Sequence, residues 1–219
     1  VIEHASICNF VRVAASEYGY EPGDRVYQGM TIAFDFSVEE IWVPLLAGAT
    51  LVPGSQERNL IGEDLGDFLY ERKVTCLCCC PTLLSTIDRE LPDVRIMLLG
   101  GEACPQDLVK RWHGSGRTIL NSYGPTEATV TAMLTELHPD KPVTIGVPLP
   151  TYSIVVLDPE HDEILTTGDA GEIGIAGIGV ARGYLNNEDL THRKFIPDFL
   201  DLANNTSKRI YRTGDLGRL

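Results

Sequence analysis

The sequence is short of positive charge. Its 18 Lys and Arg stand against 31 Asp and Glu, a formal net charge of −13. Nucleic-acid phosphates want a basic surface, so nucleic acid is not expected as the main partner. No apolar run reaches membrane-spanning length, and no secretory leader is visible. The standard nucleotide and hydrolase signatures are missing too: there is no GxxxxGK loop, no GxGxxG opening a helix, no HExxH and no GxSxG. The histidines (His4, His113, His138, His161 and His192) are scattered, and no internal repeat or low-complexity run occurs. Cysteine is present in a pattern that excludes the usual uses. Cys8 and Cys104 stand alone, while Cys76, Cys78, Cys79 and Cys80 crowd "TCLCCCP". Neighbours on a strand point to opposite faces, which does not suit a disulfide framework, and the paired CxxC spacing of a zinc site is absent. A buried strand of small apolar side chains, in a reducing cytoplasmic compartment, is the expectation.

What is there reads as alternating strands and helices. A helix over "EHASICNFVRVAASEYG" closes at Gly19, and "DRVYQGM" is a strand. "SVEEIWVPLLAG" is a helix with Ser37 at its N-cap and Glu40 three residues on, a capping-box pattern, and Pro44 is expected to kink or end it. "ATLVP" is a strand, "IGEDLGDFLYERK" a helix, "VTCLCCC" a buried strand, and "PTLLSTIDRE" a helix with Pro81 in its first turn. "VRIMLLGG" (strand), "CPQDLVKRWH" (helix) and "RTILNSYG" (strand) follow. This order predicts an α/β fold with a largely parallel sheet and flanking helices over residues 1–140. Beyond that, "VTIGVPL", "YSIVVLD" and "GEIGIAGIGVARGYL" are read as short strands, with a helix at "EDLTHRKF" and a flexible polar loop at "DLANNTSKR". Residues 141–219 are therefore expected to form a small β-rich subdomain. Ligands of such parallel sheets sit outside the carboxyl ends of the strands. "AFDFS", "GGEA" and "NSYGPTE" all fall at such ends.

Singly, "YGPT" reads as a plain turn and Asp215 as a plain N-cap. In combination the motifs say more. "AFDFSVEEIW", "NSYGPTEAT", "GEIGIAGIGVARGYL" and "YRTGDLGRL" occur in that order across almost the whole chain. Together they resemble the adenylate-forming enzymes, and within them the amino-acid adenylation domains of nonribosomal peptide synthetases. "RVYQGMTIAFDFSVEEIW" and "VTIGVPLPTYSIVVLDP" resemble in particular the adenylation domains of ε-poly-lysine synthetase-like proteins.

The resemblance implies ATP-dependent activation of an amino acid as aminoacyl-AMP. Pyrophosphate is released, and the product passes to a phosphopantetheine thiol on a carrier domain in the same or a partner chain. The attacking carboxylate is already an anion, so catalysis is positioning and neutralisation of phosphate charge. Glu127 is the implied Mg²⁺ carboxylate and Thr126 a phosphate-side hydroxyl. Tyr123, with Gly124 after it, lies against adenine. Asn121 and Ser122 line its edge, and Gly101 and Glu102 form the opposite wall. Asp215 accepts from the ribose hydroxyls, with Tyr211 helping to place the ribose. Asp35 pairs with the substrate α-ammonium. The side-chain pocket is implied to comprise Phe36, Glu39, Cys78, Leu98, Gly100, Ser122, Val130 and Thr131.

Glu39 decides the expected substrate. If it faces the pocket it wants a second positive charge, which points to lysine or ornithine, with Gly100 and Ser122 leaving room for a long side chain. A solvated helix carboxylate is the alternative for that side chain, and a neutral substrate such as cysteine or glutamine, with Glu39 hydrogen-bonding or pointing away, is the second reading. A non-catalytic adenylation-like scaffold is the third reading, and the glycines of "GIAGIGVARGYL" are assigned tight β geometry and no catalytic role.

The resemblance places a phosphate loop before "IEH" and a hinge, a small subdomain and a lysine after "YRTGDLGRL". A membrane region is possible in a parent protein but is not in this chain. On this reading the 219-residue chain alone gives no amino-acid-dependent ATP–pyrophosphate exchange. Robust exchange by the purified chain would contradict it.

Overall fold

Short apolar strands alternate with amphipathic helices through the first two thirds of the chain, and the computed structural model carries that alternation into a sheet. It describes residues 1–54, 60–114, 116–203 and 205–219, so Asn204 of the expected polar loop lies outside the described residues. The elements are α1 (His4–Glu17), β1 (Arg25–Gln28), α2 (Ser37–Leu46), β2 (Thr50–Pro53), α3 (Gly62–Glu71), β3 (Cys76–Cys79), α4 (Pro81–Ser85), β4 (Ile96–Leu99), α5 (Gln106–Trp112) and β5 (Thr118–Tyr123). They continue with β6 (Met133–Glu136), β7 (Val147–Pro148), β8 (Tyr152–Leu157), β9 (Gly171–Gly177), α6 (Glu188–Lys194), β10 (Phe195–Pro197) and β11 (Arg209–Gly217).

The chain forms two compact units. One comprises Val11–Tyr123 and Met133–Val147; the other comprises Val1–Phe10, Gly124–Ala132 and Pro148–Leu219. A seven-stranded sheet runs in the order β2-β1-β3-β4-β5-β6-β7, parallel through β5 and antiparallel from β5 to β6. All four residues of β3 are buried, as a central strand covered on both faces requires. Its alternation sends Leu77 and Cys79 into a core with Met97, Leu99 and Ile119, covered by Leu65 and Leu69 of α3, Leu84 of α4 and Val109 and Trp112 of α5. The six cysteines are free thiols, and burial pushes the Cys76 thiol up to about 12. The other unit holds an antiparallel sheet, β10-β11-β9-β8, with a core of Val155, Leu157, Ala176, Ile196 and Ile210.

Several local expectations change. The helix from Pro81 stops at Ser85, because the Ser85 and Thr86 hydroxyls donate back to the Thr82 and Leu83 carbonyls, which closes the last turn. Of "VTIGVPL" only Val147–Pro148 is strand. Gly146, at φ +84°, lies so close to β6 that a Cβ there would meet the Leu134 carbonyl oxygen. In "GEIGIAGIGVARGYL" the strand ends at Gly177, whose φ is +129°. Strands β6, β10 and β11 were not expected.

The capping box at Ser37 does not form. Phe36 takes the N-cap position in a helical conformation without a side-chain cap, and α2 runs through Pro44 to Leu46. Glu40 turns inward instead. Its Oε2 accepts from the backbone N–H of Gly29 (3.1 Å) and Met30 (2.9 Å), pinning the segment that leaves β1. Burial pushes its carboxyl up to about 7, against the pull of those two donors and the Gln28 amide.

The sign of the consequence follows. The folded chain keeps a proton on Glu40 that the unfolded chain releases, so stability falls as pH rises from about 4.5 to about 7. The loss is on the order of 3 kcal/mol. In urea unfolding, Glu40→Gln is expected to remove this component of the pH slope. Parallel slopes for the two proteins would contradict the assignment.

Candidate functional site

In the unit built on the parallel sheet, β1, β4 and β5 present their carboxyl ends along one edge. "AFDFS", Gly100–Glu102 and the end of β5 follow those ends. Register explains which side chains share a face: Cys78 pairs with Leu98 and Leu98 with Leu120. Gly100 and Ser122 lie two residues further along the same face. A Cβ on Gly100 would sit 2.5 Å from the Ser122 Oγ and 3.2 Å from the Phe36 ring. The glycine therefore admits the close approach of those two groups.

Glu39 is fully buried, at 0% exposure, which excludes the solvated-carboxylate alternative. The Tyr18 hydroxyl donates to its Oε1 at 2.8 Å. The Cys78 Sγ lies 3.1 Å from the Tyr20 hydroxyl, and burial followed by the Glu39 charge pushes the Cys78 thiol up. Asp35, just ahead of α2, is half-buried. Phe36, Glu39, Cys78, Leu98, Gly100 and Ser122 are thus brought into one region of this unit.

Asn121 and Ser122 are consecutive on β5 and point to opposite faces. The Asn121 amide nitrogen donates to the Thr144 carbonyl at 2.7 Å, while the Ser122 hydroxyl donates to the Leu99 carbonyl. Tyr123 is half-buried. Gly101 is exposed at φ +78°. Glu102 accepts from the Thr82 N–H (3.0 Å) and hydroxyl (2.5 Å), and these donors draw its carboxyl below the usual range. It closes the first turn of α4.

The second unit holds the loop that follows β5. A Cβ on Gly124 would fall 2.6 Å from the Thr131 Cα, so glycine is what lets this loop fold back on itself. Thr126–Ala128 make a single 3₁₀ turn. Thr129 and Val130 then take φ of +62° and +68°, a left-handed pair that costs β-branched residues about 1–3 kcal/mol each. Three bonds hold the strain. The Thr129 hydroxyl donates to the Gly179 carbonyl, the Tyr152 hydroxyl to the Ala128 carbonyl, and the Ala181 N–H to the Glu127 carbonyl. Val130 and Thr131 are buried, and Thr126 is exposed.

Glu127 is half-exposed, and the Tyr184 hydroxyl donates to its Oε1 at 2.6 Å. The Tyr211 hydroxyl lies 3.4 Å from that of Tyr184, and Phe195 packs against both rings. Burial first, then the neighbouring carboxylate, holds the Tyr184 phenol above its ordinary value. Tyr184 was not among the residues expected from the sequence. The available signal was an aromatic with a polar tip at the end of "ARGYL", which needs a partner once buried.

Asp215 is exposed on β11, within a bulge between Arg212 and Leu216, and not at a helix N-cap. The bulge is clamped by Glu172. One of its oxygens accepts from the Gly214 N–H at 2.8 Å and the other from the Arg212 Nε at 2.9 Å. Arg212 also pairs with Asp162 and donates to the carbonyls of Asp158 and Pro159.

Among the described residues no group of three or more His, Cys, Asp or Glu could hold a metal ion. Glu127 still fits Mg²⁺, which commonly takes one or two carboxylates and draws its other ligands from phosphate and water. Its carboxylate is half-exposed and oriented by a phenol.

The family described as "AMP-binding enzyme" matches residues 1–185. The chain is 43% identical over its whole length to a delta-poly-L-ornithine synthetase of Acinetobacter baumannii. It is 36% identical, again over its whole length, to the phosphinothricin tripeptide synthetase PhsC of Streptomyces viridochromogenes. It spans 16% of the first protein and 20% of the second. Among solved structures, it superposes over its full length on a four-domain nonribosomal peptide synthetase bound to AMP and glycine. That match has a TM-score of 0.87 and 30% identity, and covers 16% of that chain. It also superposes on the nonribosomal peptide synthetase FmoA3, with a TM-score of 0.89 and 27% identity, covering 24% of that chain.

Removing the phenol should expose its coupling to the carboxylate. Tyr184→Phe and Glu127→Gln, alone and combined, are expected to give an unfolding double-mutant cycle with a coupling of about 1–2 kcal/mol. Additive effects would show that the contact contributes nothing.

Proposed function

The chain belongs to the AMP-binding enzyme family, alongside the adenylation domains of nonribosomal peptide synthetases, and on that footing we propose that the protein containing it activates a basic amino acid as its aminoacyl-AMP. The acyl group then passes to the phosphopantetheine thiol of a carrier domain. In the first step a substrate carboxylate oxygen attacks the α-phosphorus of ATP. The bond to the bridging oxygen breaks, and pyrophosphate leaves with that electron pair. The nucleophile is already ionised, so the protein has to position and neutralise, not remove a proton.

Asp35 would pair with the α-ammonium, fixing the carboxylate end of the substrate. Tyr123 would lie against the adenine, with Asn121 and Ser122 at its edge and Gly101 and Glu102 as the wall opposite. The exposed Asp215, clamped on its bulge by Glu172, would accept from the ribose hydroxyls. Thr126 would face the phosphates. Glu127, oriented by Tyr184, would hold Mg²⁺, and that ion when bound supplies neutralisation of phosphate charge.

The observation that carries the basic substrate is the complete burial of Glu39. The Tyr18 hydroxyl donates to it, and a buried carboxylate is compensated best by a cation. The ω-ammonium of ornithine or lysine provides one. The poly-ornithine product in the name of the 43% identical relative supports the same chemistry. A neutral substrate such as glutamine or cysteine is the second reading, and the Tyr18 bond favours it to the extent that it already satisfies Glu39.

ATP–pyrophosphate exchange by the full-length protein with ornithine, lysine, glutamine and cysteine tests the proposal. Exchange is expected with ornithine or lysine. It should fall at least ~100-fold in kcat/KM in Glu39→Gln, in line with the roughly 3 kcal/mol or more lost when a buried ion pair loses one partner. Exchange confined to neutral amino acids would overturn the basic-substrate assignment.

A further inference from the structure

The turn "YGY" after α1 reaches two of the pocket residues at once. Gly19, at φ +71°, turns the chain where α1 ends, and both flanking tyrosines go inward, at 2% and 7% exposure. Their rings meet edge to face with centroids 5.9 Å apart. The Tyr18 hydroxyl donates to Glu39 at 2.8 Å, and the Tyr20 hydroxyl lies 3.1 Å from the Cys78 sulfur. These contacts join the end of α1 to α2 and to β3, across 21 and 58 residues of chain.

Geometry limits what Tyr18 can do. It is buried, it donates to a fully buried carboxylate, and its own ring is braced by Tyr20. It therefore acts on whatever Glu39 touches through Glu39 itself. A donor on one carboxylate oxygen does two things: it selects one side-chain rotamer, and it favours the ionised form over the neutral acid. Both sharpen discrimination between an ammonium and an uncharged group of the same size. A site built around a buried polar group rejects ligands that leave that group unpaired.

We infer that Tyr18 is a positioning residue for substrate selection, holding Glu39 in the one orientation in which its carboxylate reads the charge on the substrate side chain. The inference rests on the basic-amino-acid reading given above. Tyr18 does not touch the reacting atoms, so its effect belongs in KM and not in kcat. It also belongs to ornithine and lysine and not to norleucine, which has the carbon chain of lysine without its ammonium. A merely structural tyrosine would lower all substrates together.

The test is ATP–pyrophosphate exchange by the full-length protein as wild type, Tyr18→Phe, Glu39→Gln and the double variant, with ornithine, lysine, glutamine and norleucine. Tyr18→Phe is expected to raise KM for the basic substrate about tenfold, the effect of losing one hydrogen bond to a charged group. The kcat should stay within about twofold, and norleucine should be unaffected. In the Glu39→Gln background the same substitution should leave KM for the basic substrates unchanged, because the charge that Tyr18 orients is gone. Should Tyr18→Phe alone fail to fold, the double variant removes the Glu39 charge together with the phenol and keeps the comparison: its KM values must match those of Glu39→Gln. Equal losses for ornithine and norleucine, or additive effects in the double variant, would overturn the role of Tyr18 while leaving the substrate assignment intact. A wild-type protein that activates only neutral amino acids would overturn both.

Discussion

Parallel register across β1, β3, β4 and β5 is the constraint from which the rest of the candidate site follows. Because these strands run the same way, three loops of different sequence emerge along one edge. Because they pair in step, Cys78, Leu98 and Leu120 line up on one face, with Gly100 and Ser122 beyond them. A slip of one residue would exchange this face with the one carrying Leu77, Met97 and Ile119. The buried thiols of β3 belong to this constraint: a strand covered on both sides needs small apolar side chains, and cysteine supplies them.

Around that frame the chain handles its carboxylates in different ways, and the differences mark their uses. Glu40 is buried on backbone N–H groups and pins the segment leaving β1. Glu102 closes a short helix. Glu172 pairs with Arg212 and holds a bulge. These three have structural donors that account for them. Glu39 and Glu127 each accept from a phenol. The left-handed pair Thr129–Val130, next to Glu127, is local strain of the kind that gathers at functional loops.

Much of this was legible in the sequence, and the boundary is physical. The α/β alternation, the buried cysteine strand and the three strand-end loops follow from periodicity and from Gly and Pro placement. The capping box at Ser37 matched its pattern and failed, because Glu40 turns inward to the two backbone donors of the β1 exit. The early stop of α4 came from Ser85 and Thr86 bonding back to the backbone, a competition that helix propensity does not rank. Tyr18 and Tyr184 escaped notice because their partners lie 21 and 57 residues away. Such contacts have no period, and only the fold brings them together.

The central claim is that Glu39 reads charge on the substrate side chain. A crystal structure of the full-length protein with a non-hydrolysable ornithyl-adenylate analogue tests it most directly. The account predicts the ω-ammonium within hydrogen-bonding distance of the Glu39 carboxylate, with the Tyr18 hydroxyl still on Oε1. An ω-ammonium directed elsewhere, out of reach of Glu39, would contradict it.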